Sequence, residues 1–363
     1  MSATTYPVLR WQCRCGRVVA ESAITETNHR DDSYYYLWVR LPGTGDVPSM
    51  QGKRTHVTTI GYAASQPHYL RHLQPVIDGL RAAGTEVIEG RHESMLVASR
   101  IDAERACRIG APRHLILVEH GAGQRYFNPN RGGWLDGSGG PPDPNVTLFL
   151  APSERVAHQM ADKLPNARAE VVGSPAVERL ARLRADTIAR MEPAGVEAPY
   201  VFTCHWQMTP IGVDEAGSSF PWSLRVLDRM PRERTFAHGH PRIQARLHVH
   251  AANRHFAVES DWDRLASMAA VVVADNTSAM WEALTVGVPV VAMTPPKWSD
   301  DAPHGFPRFG PNRVRLPTIY DPAHTTAVID TALGSMVANP HVYDVVDGAT
   351  ARAVSVILSH VVD

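Results

Sequence analysis

Residues 267–293 read SMAAVVVADNTSAMWEALTVGVPVVAM. The apolar run at 268–274 is rich in Val, which is typical of a strand buried on both faces of a parallel sheet. Asn276, Thr277 and Ser278 follow, and these residue types cap helices because their side chains accept hydrogen bonds from free backbone N–H groups. The pattern therefore predicts a buried strand that leads directly into a helix.

The end of that helix is also marked in the sequence. Gly287 suits a helix C-terminal cap, and Pro289 cannot continue a helix. The second apolar run, at 290–293, then predicts another buried strand. The whole stretch is one strand–helix–strand unit of an α/β protein.

The polar turn of this unit has the features of a phosphate site. Asp275 begins it at the carboxyl end of a strand, and the helix that follows presents free N–H groups and a favourable dipole. Ser278 and Glu282 are four residues apart and share one helical face. A nucleotide would suit them, with Glu282 accepting hydrogen bonds from ribose hydroxyls; a capped helix with a solvated Glu is the alternative.

Composition bounds the class of protein. The 363 residues are 44% hydrophobic and 20% charged, with 36 basic and 37 acidic residues. This balance indicates a globular chain with no global attraction to nucleic acid. We expect a cytoplasmic protein, with membrane-peripheral placement left open, because no apolar run spans a bilayer, no secretory signal is evident, and four cysteines form no disulfide framework.

Several groupings suggest metal ligands, but each has another explanation. They are Cys13 and Cys15 with His29, Asp261 with Asp263, His238 with His240, and His248 with His250. The Cys-x-Cys spacing lacks the usual two-residue gap and a second pair. Asp at a helix start is a common cap, and turn or surface roles suit the histidines. We predict no metal site.

Strands and helices alternate through most of the chain, which predicts two Rossmann-like, doubly wound domains facing a central cleft. Within the first half we predict a turn at 65–72, a helix at 95–109 and an irregular loop at 128–145. A strand is predicted at 33–41, within an extension whose role is not readable. The predicted divisions are 1–54 for the extension, 55–192 and 200–340 for the two domains, and 341–363 for a C-terminal helix that packs back on the first domain.

His120 stands at the carboxyl end of the predicted strand HLILV. Ligands of doubly wound domains bind at this edge of the sheet, and a His titrates near neutral pH. His120 is thus a candidate general base. A histidine that happens to end a strand is the alternative.

The order of these motifs resembles glycosyltransferases of the GT-B fold, most closely the CDP-glycerol glycerophosphotransferases that build teichoic acid polymers. His120 and Gly121 look like the HG motif of that group, whose His acts as the base. The run VVGSP, with Gly173 and Ser174, is similar to its Gly-x-Pro segment, and His240 with Pro241 matches its HP motif.

The opening stretch adds two further similarities. Residues 275–278 align with the Asp-Tyr-Ser-Ser motif of the group, with Asn276 in place of Tyr. Glu282 fits the E-A-x-x-x-G-x-P-V pattern of GT-B enzymes, whose Glu binds the donor ribose. After Gly121 the sequence departs from the group, so Gly121 and Arg125 mark the acceptor side only weakly.

The resemblance implies transfer of a glycosyl or glycerophosphoryl unit from a nucleotide-diphosphate donor, such as a UDP-sugar or CDP-glycerol, to an acceptor hydroxyl. His120 would be the base, and the expected donor-binding residues are His205, His240, Arg242, Asp275, Asn276, Thr277, Ser278, Glu282, Gly173 and Ser174. No cofactor is expected. The acceptor remains open among a polymer, a lipid-linked glycan, a protein and modified DNA.

Two other functions fit the same fold. A UDP-sugar 2-epimerase would convert its nucleotide substrate without an acceptor. A non-catalytic nucleotide-sugar-binding protein would retain the cleft but not depend on His120. Substitution of His120 and an assay without acceptor distinguish the three.

Overall fold

The structure is a computed structural model that describes residues 9–12, 18–22, 58–108, 110–122, 125–128, 133–136, 143–206, 218–296, 316–335, 342–343 and 346–362. For residues 9–12, 18–22, 125–128 and 133–136 the backbone alone is described. The chain forms two compact units, residues 1–58 and 59–363. In the smaller unit, β1 (Leu9–Gln12) and β2 (Val18–Ser22) pair in antiparallel fashion. The predicted strand at 33–41 and Cys13, Cys15 and His29 lie outside the described residues.

The larger unit contains a first sheet of six parallel strands. The strands are β3 (Thr59–Ala63), β4 (Glu86–Glu89), β5 (Ser94–Val97), β6 (His114–Val118), β9 (Leu148–Ala151) and β10 (Arg168–Val171). The hairpin strands β7 (Arg125–Asn128) and β8 (Gly133–Asp136) lie between β6 and β9 in the chain. The spatial order is β4–β3–β5–β6–β9–β10, so the winding direction reverses between β3 and β5.

A second sheet of six parallel strands follows. The strands are β11 (Tyr200–Cys204), β12 (Thr235–Gly239), β13 (Ala257–Val258), β14 (Val271–Ala274), β15 (Val290–Met293) and β16 (Thr318–Ile319). Their order is β13–β12–β11–β14–β15–β16, with the reversal between β11 and β14. Ligands of doubly wound sheets bind beyond the carboxyl ends of the strands at such a reversal. The predicted α/β class with two Rossmann-like domains is confirmed.

The described part of the chain also contains ten α-helices. They are α1 (Pro67–Ala82), α2 (Arg100–Arg108), α3 (Glu154–Met160), α4 (Pro175–Met191), α5 (Leu224–Leu227), α6 (Gln244–Asn253), α7 (Trp262–Met268), α8 (Ser278–Thr285), α9 (Thr325–Leu333) and α10 (Ala349–Val362). Within the described residues, no helix combines the length and apolar character that crossing a membrane requires.

The last helix returns to the first sheet. It packs against α1 and α4, and its amino end is held by Glu178 of α4, whose carboxylate accepts the backbone N–H groups of Gly348 at 2.8 Å and Thr350 at 2.9 Å. We therefore call the first sheet with α1–α4 and α10 the first domain. The second sheet with α5–α9 is the second domain.

The unit predicted from the opening stretch is β14–α8–β15. All four residues of β14 are buried, and β14 pairs with β15 in parallel. Thr277 caps α8 by accepting the N–H of Ala279, and Gly287 follows the helix with φ +76°, a backbone conformation that favours glycine. This local prediction is confirmed, except that the strand begins at Val271 because Met268 ends α7.

One apolar cluster joins the two domains. It contains Leu117 and Phe149 of the first sheet together with Val272 of the second sheet and Trp281 of α8. Trp281 is fully buried. Helices α4 and α7 pack directly against each other across the same boundary. Apolar contacts between the domains therefore hold the two sheets together, in addition to the covalent connection of the chain.

Three local predictions were wrong. The segment at 65–72 is mainly the start of α1, since Pro67 occupies a first-turn position where its missing N–H costs nothing. The segment at 95–109 is not one helix, because Ser94–Val97 forms the central strand β5 before α2 begins. The loop at 128–145 contains β8, which pairs with β7.

Candidate functional site

The end of β11 is tied to the end of β14 at the reversal point of the second sheet. The Asp275 carboxylate accepts the backbone N–H of His205 at 2.7 Å, and the N–H and hydroxyl of Ser219, each at 2.8 Å. Burial raises the pKa of Asp275 to about 6 against the opposing effect of these hydrogen bonds. Asp275, predicted to bind the donor, thus has both oxygens engaged in fixing the two strand ends.

The neighbouring residues form the start of α8. Asn276 is buried, whereas Thr277 and Ser278 are half-buried. Thr277 accepts the Ala279 N–H at 3.4 Å and so occupies the capping position that the sequence predicted. The hydroxyl of Ser278 lies on the first helical residue, where free N–H groups of the helix begin.

His240 follows β12, next to His205. The two rings are 5.4 Å apart, and the Nδ1 atom of His240 accepts the backbone N–H of Arg242 at 3.2 Å. In a neutral ring this leaves the proton on Nε2, which becomes a hydrogen-bond donor. Burial, followed by the nearby His205, His68 and Arg242, lowers the pKa of His240 to about 2.

Arg242 supplies the positive charge beside this ring. Its guanidinium carbon lies 4.0 Å from the centre of the Trp206 ring, a cation–π contact. The Trp206 ring is in turn 5.8 Å from that of His240. His205, Trp206, His240 and Arg242 therefore form one side of the site, built from the ends of β11 and β12.

His120 forms the other side, at the end of β6 in the first domain. Burial and the neighbouring His68 lower the pKa of His120 to about 4, although a hydrogen bond to the Ala98 backbone opposes the shift. The ring nitrogen that donates to this carbonyl carries the proton of the neutral ring. The ring is therefore neutral near pH 7, and its other nitrogen carries a free lone pair.

His68 joins the two sides. It lies in the first turn of α1, with its ring 6.5 Å from that of His120 and 5.4 Å from that of His240. Tyr69 packs on His120 at 4.7 Å, and His72 lies 6.0 Å from it. The structure thus brings His120, His205, His240 and Arg242 together. We call these four residues with His68 and Trp206 the histidine cluster.

Sequence reasoning missed His68 and Trp206. The sequence predicts a turn for the segment that contains His68, and a turn gives this histidine no defined position. A signal was nevertheless present, because Gln-Pro-His follows an apolar strand at the point where a first βα connection of a doubly wound domain begins. Trp206 directly follows His205 at the end of a predicted strand.

Glu282, predicted to bind the donor ribose, lies in a buried ion cluster. Its side chain is buried. The carboxylate oxygens accept hydrogen bonds from Arg71 Nη1 at 3.2 Å, from Arg71 Nη2 at 2.8 Å and from the indole N–H of Trp262 at 2.8 Å. Arg71 belongs to the first domain, and it also binds Asp263 through Nε at 2.7 Å. The three hydrogen bonds from Arg71 and Trp262 occupy most of the acceptor capacity of the Glu282 carboxylate.

This ion cluster has charges from both domains. Although burial opposes charge on Arg71, Glu282 and Asp263 raise its pKa above the usual value. Asp263 also accepts a hydrogen bond from Arg179 of α4. Asp261 caps α7 by accepting the Arg264 N–H at 3.1 Å. The Asp-x-Asp pair is therefore explained by a helix cap and an interdomain ion pair.

The remaining predicted residues occupy turn or cap positions, or are described only in part. Gly173 has φ +86°, and Ser174 caps α4 by accepting the Val177 N–H at 3.3 Å, at the end of the edge strand β10. Gly121 is buried, with φ +73°, directly after His120. The side chain of Arg125 lies outside the described part. Among described residues, no three His, Cys, Asp or Glu side chains are placed to hold a metal ion.

Glu119 is an acidic group for which the sequence predicts no role. It is buried beside His120 in the chain, and one of its carboxylate oxygens has no hydrogen-bond partner among the described residues. Burial raises the pKa of Glu119 to about 8, with Lys163 opposing the shift. This carboxyl group is therefore mainly protonated at neutral pH.

Known structures share this architecture. The wall teichoic acid polymerase TagF matches with a TM-score of 0.57 at 12% identity, over 84% of this chain and 89% of that chain. A putative UDP-N-acetylglucosamine 2-epimerase from Listeria monocytogenes matches with a TM-score of 0.51 at 13% identity, over 84% and 96%. The UDP-N-acetylglucosamine 2-epimerase from Rickettsia bellii gives 0.50 at 11%, over 84% and 97%.

Sequence comparison adds no relative. No protein-family model and no curated protein matches the chain. The likeness to TagF and to the epimerases, at such low identity, is a likeness of fold. Together with the two sheets and their order, it shows that the chain has the GT-B fold.

Proposed function

We propose that the chain is a transferase that moves a glycosyl or glycerophosphoryl unit from a nucleotide-diphosphate donor to an acceptor hydroxyl. The observation that carries this proposal is the histidine cluster. A proton acceptor on the first domain, His120, lies in the same group of rings as a hydrogen-bond donor on the second domain, His240. Acceptor activation and leaving-group stabilisation are required together in such a transfer.

The proton and the charge have defined destinations in this proposal. As the acceptor oxygen forms its new bond to the transferred unit, its proton moves to the free ring nitrogen of His120. The bond to the nucleotide phosphate breaks, and the leaving oxygen takes the electron pair. His240 Nε2–H, the guanidinium of Arg242 and the N–H groups at the start of α8, with Thr277 and Ser278, would stabilise that negative charge.

Several parts of the site support the reaction without touching the reacting atoms. Asp275 would hold His205 in place beside the diphosphate, as its hydrogen bonds indicate. Because Glu282 is bound to Arg71, we propose ribose binding at Glu282 only for a state in which that contact is exchanged. The proposal assigns no step to a metal, since Arg242 and the helix N–H groups supply positive potential.

The experiment is a thermal-shift panel of UDP, CDP, GDP and their sugar or glycerol conjugates. A ligand that binds only the native state at a hundredfold excess over its Kd stabilises that state by about 2.7 kcal/mol. His240→Ala should reduce the shift, and the exposed His248→Gln should leave it unchanged. If no nucleotide raises the melting temperature, the proposed function is wrong.

The best ligand of the panel then distinguishes the reactions. Incubation of a UDP-sugar without acceptor should leave its sugar unchanged if the chain is a transferase, whereas an epimerase would convert it. A nucleotide-binding protein without catalysis would bind the ligand and show no turnover with any acceptor class. His120→Gln separates these outcomes further, because it should stop turnover while preserving the thermal shift.

A further inference from the structure

His68 is the described histidine that contacts both sides of the cluster. Its ring lies between those of His120 in the first domain and His240 in the second, at 6.5 and 5.4 Å. It stands in the first turn of the 16-residue helix α1, which begins just beyond β3 at the reversal of the first sheet. His68 is therefore positioned where both domains would contact one ligand.

One atom of this ring has an unmet hydrogen-bonding requirement. His68 Nδ1 is buried and has no hydrogen-bond partner among the described residues. Buried polar atoms in native proteins are nearly always paired with protein, water or ligand. His68 therefore has an unpaired imidazole nitrogen in a site that also contains the hydrogen-bond donor His240 and the guanidinium of Arg242. Together these groups point to a ligand that carries oxygen acceptors.

The surroundings of His68 indicate the charge of that ligand. The titratable and charged groups that face it are Tyr69 and His72 on α1, Asp102 on α2, His120 after β6, and His240 and Arg242 after β12. Asp102 is already engaged, since it accepts the Ser65 N–H at 3.1 Å and the Ser99 hydroxyl at 2.9 Å. Burial and the charge of Arg242 lower the pKa of His68 to about 4, so its ring is neutral in the unliganded chain. An anion would reverse this effect.

We propose that His68 is a ligand of the donor diphosphate contributed by the first domain, and that binding of the diphosphate is accompanied by transfer of a proton from solvent to the His68 imidazole. This inference rests on the proposed function and adds to it a first-domain contact with the phosphates. The site is then composite: Arg242 and His240 hold the diphosphate from the second domain, and His68 completes the contact from the first.

Inorganic pyrophosphate tests this inference without assuming a nucleobase. Its binding to the full chain is measured by titration calorimetry at pH 7 in two buffers of different ionisation enthalpy, which reports the number of protons taken up. The wild-type chain should bind with net proton uptake. His68→Ala should weaken binding at least tenfold, and His68→Gln, which keeps a hydrogen-bonding group but cannot titrate, should retain more affinity while lowering the uptake.

The control variant is His248→Gln on the exposed face of α6, which should bind as the wild-type chain does. Far-ultraviolet circular dichroism and melting curves establish that each variant is folded. The inference is overturned if the wild-type chain does not bind pyrophosphate at millimolar concentration, if binding takes up no protons, or if His68→Ala binds with unchanged affinity.

The two proposals can fail separately. Pyrophosphate binding that depends on His68, with no nucleotide active in the thermal-shift panel, would support the phosphate site and reject the transferase. Nucleotide binding and turnover that persist in His68→Ala with unchanged affinity would support the transferase and reject the role of His68.

Discussion

Replacement of Arg71 by Met should be among the most destabilising single changes in the chain. The side chain of Arg71 is 15% exposed, and those of Glu282 and Asp263 are 2% and 11% exposed. Asp263 keeps its ion pair with Arg179 after the change, but of the hydrogen bonds to Glu282 described above only the one from Trp262 remains. Removal of one partner of a buried ion pair costs about 3–5 kcal/mol, because an uncompensated charge stays buried.

The expected loss is large enough to measure directly. At about 2–4 °C per kcal/mol for domains of this general size, the melting temperature should fall by about 6–20 °C. Arg108→Met is the matched control, since Arg108 is 77% exposed and its ion pair with Glu104 is long, at 3.6 Å. That exposed pair should contribute less than about 0.5 kcal/mol.

A double-mutant cycle separates the ion pair from general damage to the core. Combining Arg71→Met with Glu282→Gln removes the unpaired charge, so the double variant should be more stable than Arg71→Met alone. The measurement is equilibrium unfolding in urea for the wild type, both single variants and the double variant. An Arg71→Met loss no greater than that of Arg108→Met, or an absence of coupling in the cycle, would refute the reasoning.

Three further predictions concern the reaction, the pH dependence and the first sheet. His120→Gln should lower turnover by about 10²–10⁴-fold and leave nucleotide-induced stabilisation intact, measured as initial rates beside melting shifts. Because the folded chain retains a proton on Glu119 that the unfolded chain loses, the contribution of Glu119 to stability should fall by up to about 1.4 kcal/mol per pH unit between pH 4.5 and 8. In urea titrations over this range, the unfolding free energy of the wild type minus that of Glu119→Gln should fall with pH in the same way. Gly61→Ala should cost about 1–3 kcal/mol, since its Cβ would clash with the Gly90 backbone oxygen. Gly334→Ala, whose Cβ would have its nearest atom at 3.8 Å, should change stability by less than about 0.5 kcal/mol.

Local sequence signals were enough to predict the β14–α8–β15 unit. The cap at Thr277 and the positive φ at Gly287 depend on residues within a few positions, so their chemistry is visible in the sequence. The strand Ser94–Val97 was missed for a related reason. It has four residues, all buried, and an apolar run of that length followed by a helix carries no period that separates the two structures.

The grouping of the candidate residues was predictable where it depends on strand ends. His120, His205 and His240 each follow an apolar strand, and parallel sheets gather such ends at one edge. Glu282 was read from a local pattern, but its environment is set by Arg71, 211 positions away in the chain. A single sequence carries no signal for a contact between residues so distant. His68 required both kinds of information, because its helix had to be assigned before its ring could be placed.

The return of α10 to the first domain has a consequence for synthesis on the ribosome. Domains are usually able to fold in the order in which they are made. Here α1 and α4 lack one of their packing partners, and Glu178 lacks the N–H groups it accepts, until residues 348–362 have been translated. We therefore expect the first domain to finish folding after the second one, and nascent chains that stop short of α10 to be unusually sensitive to protease at α1.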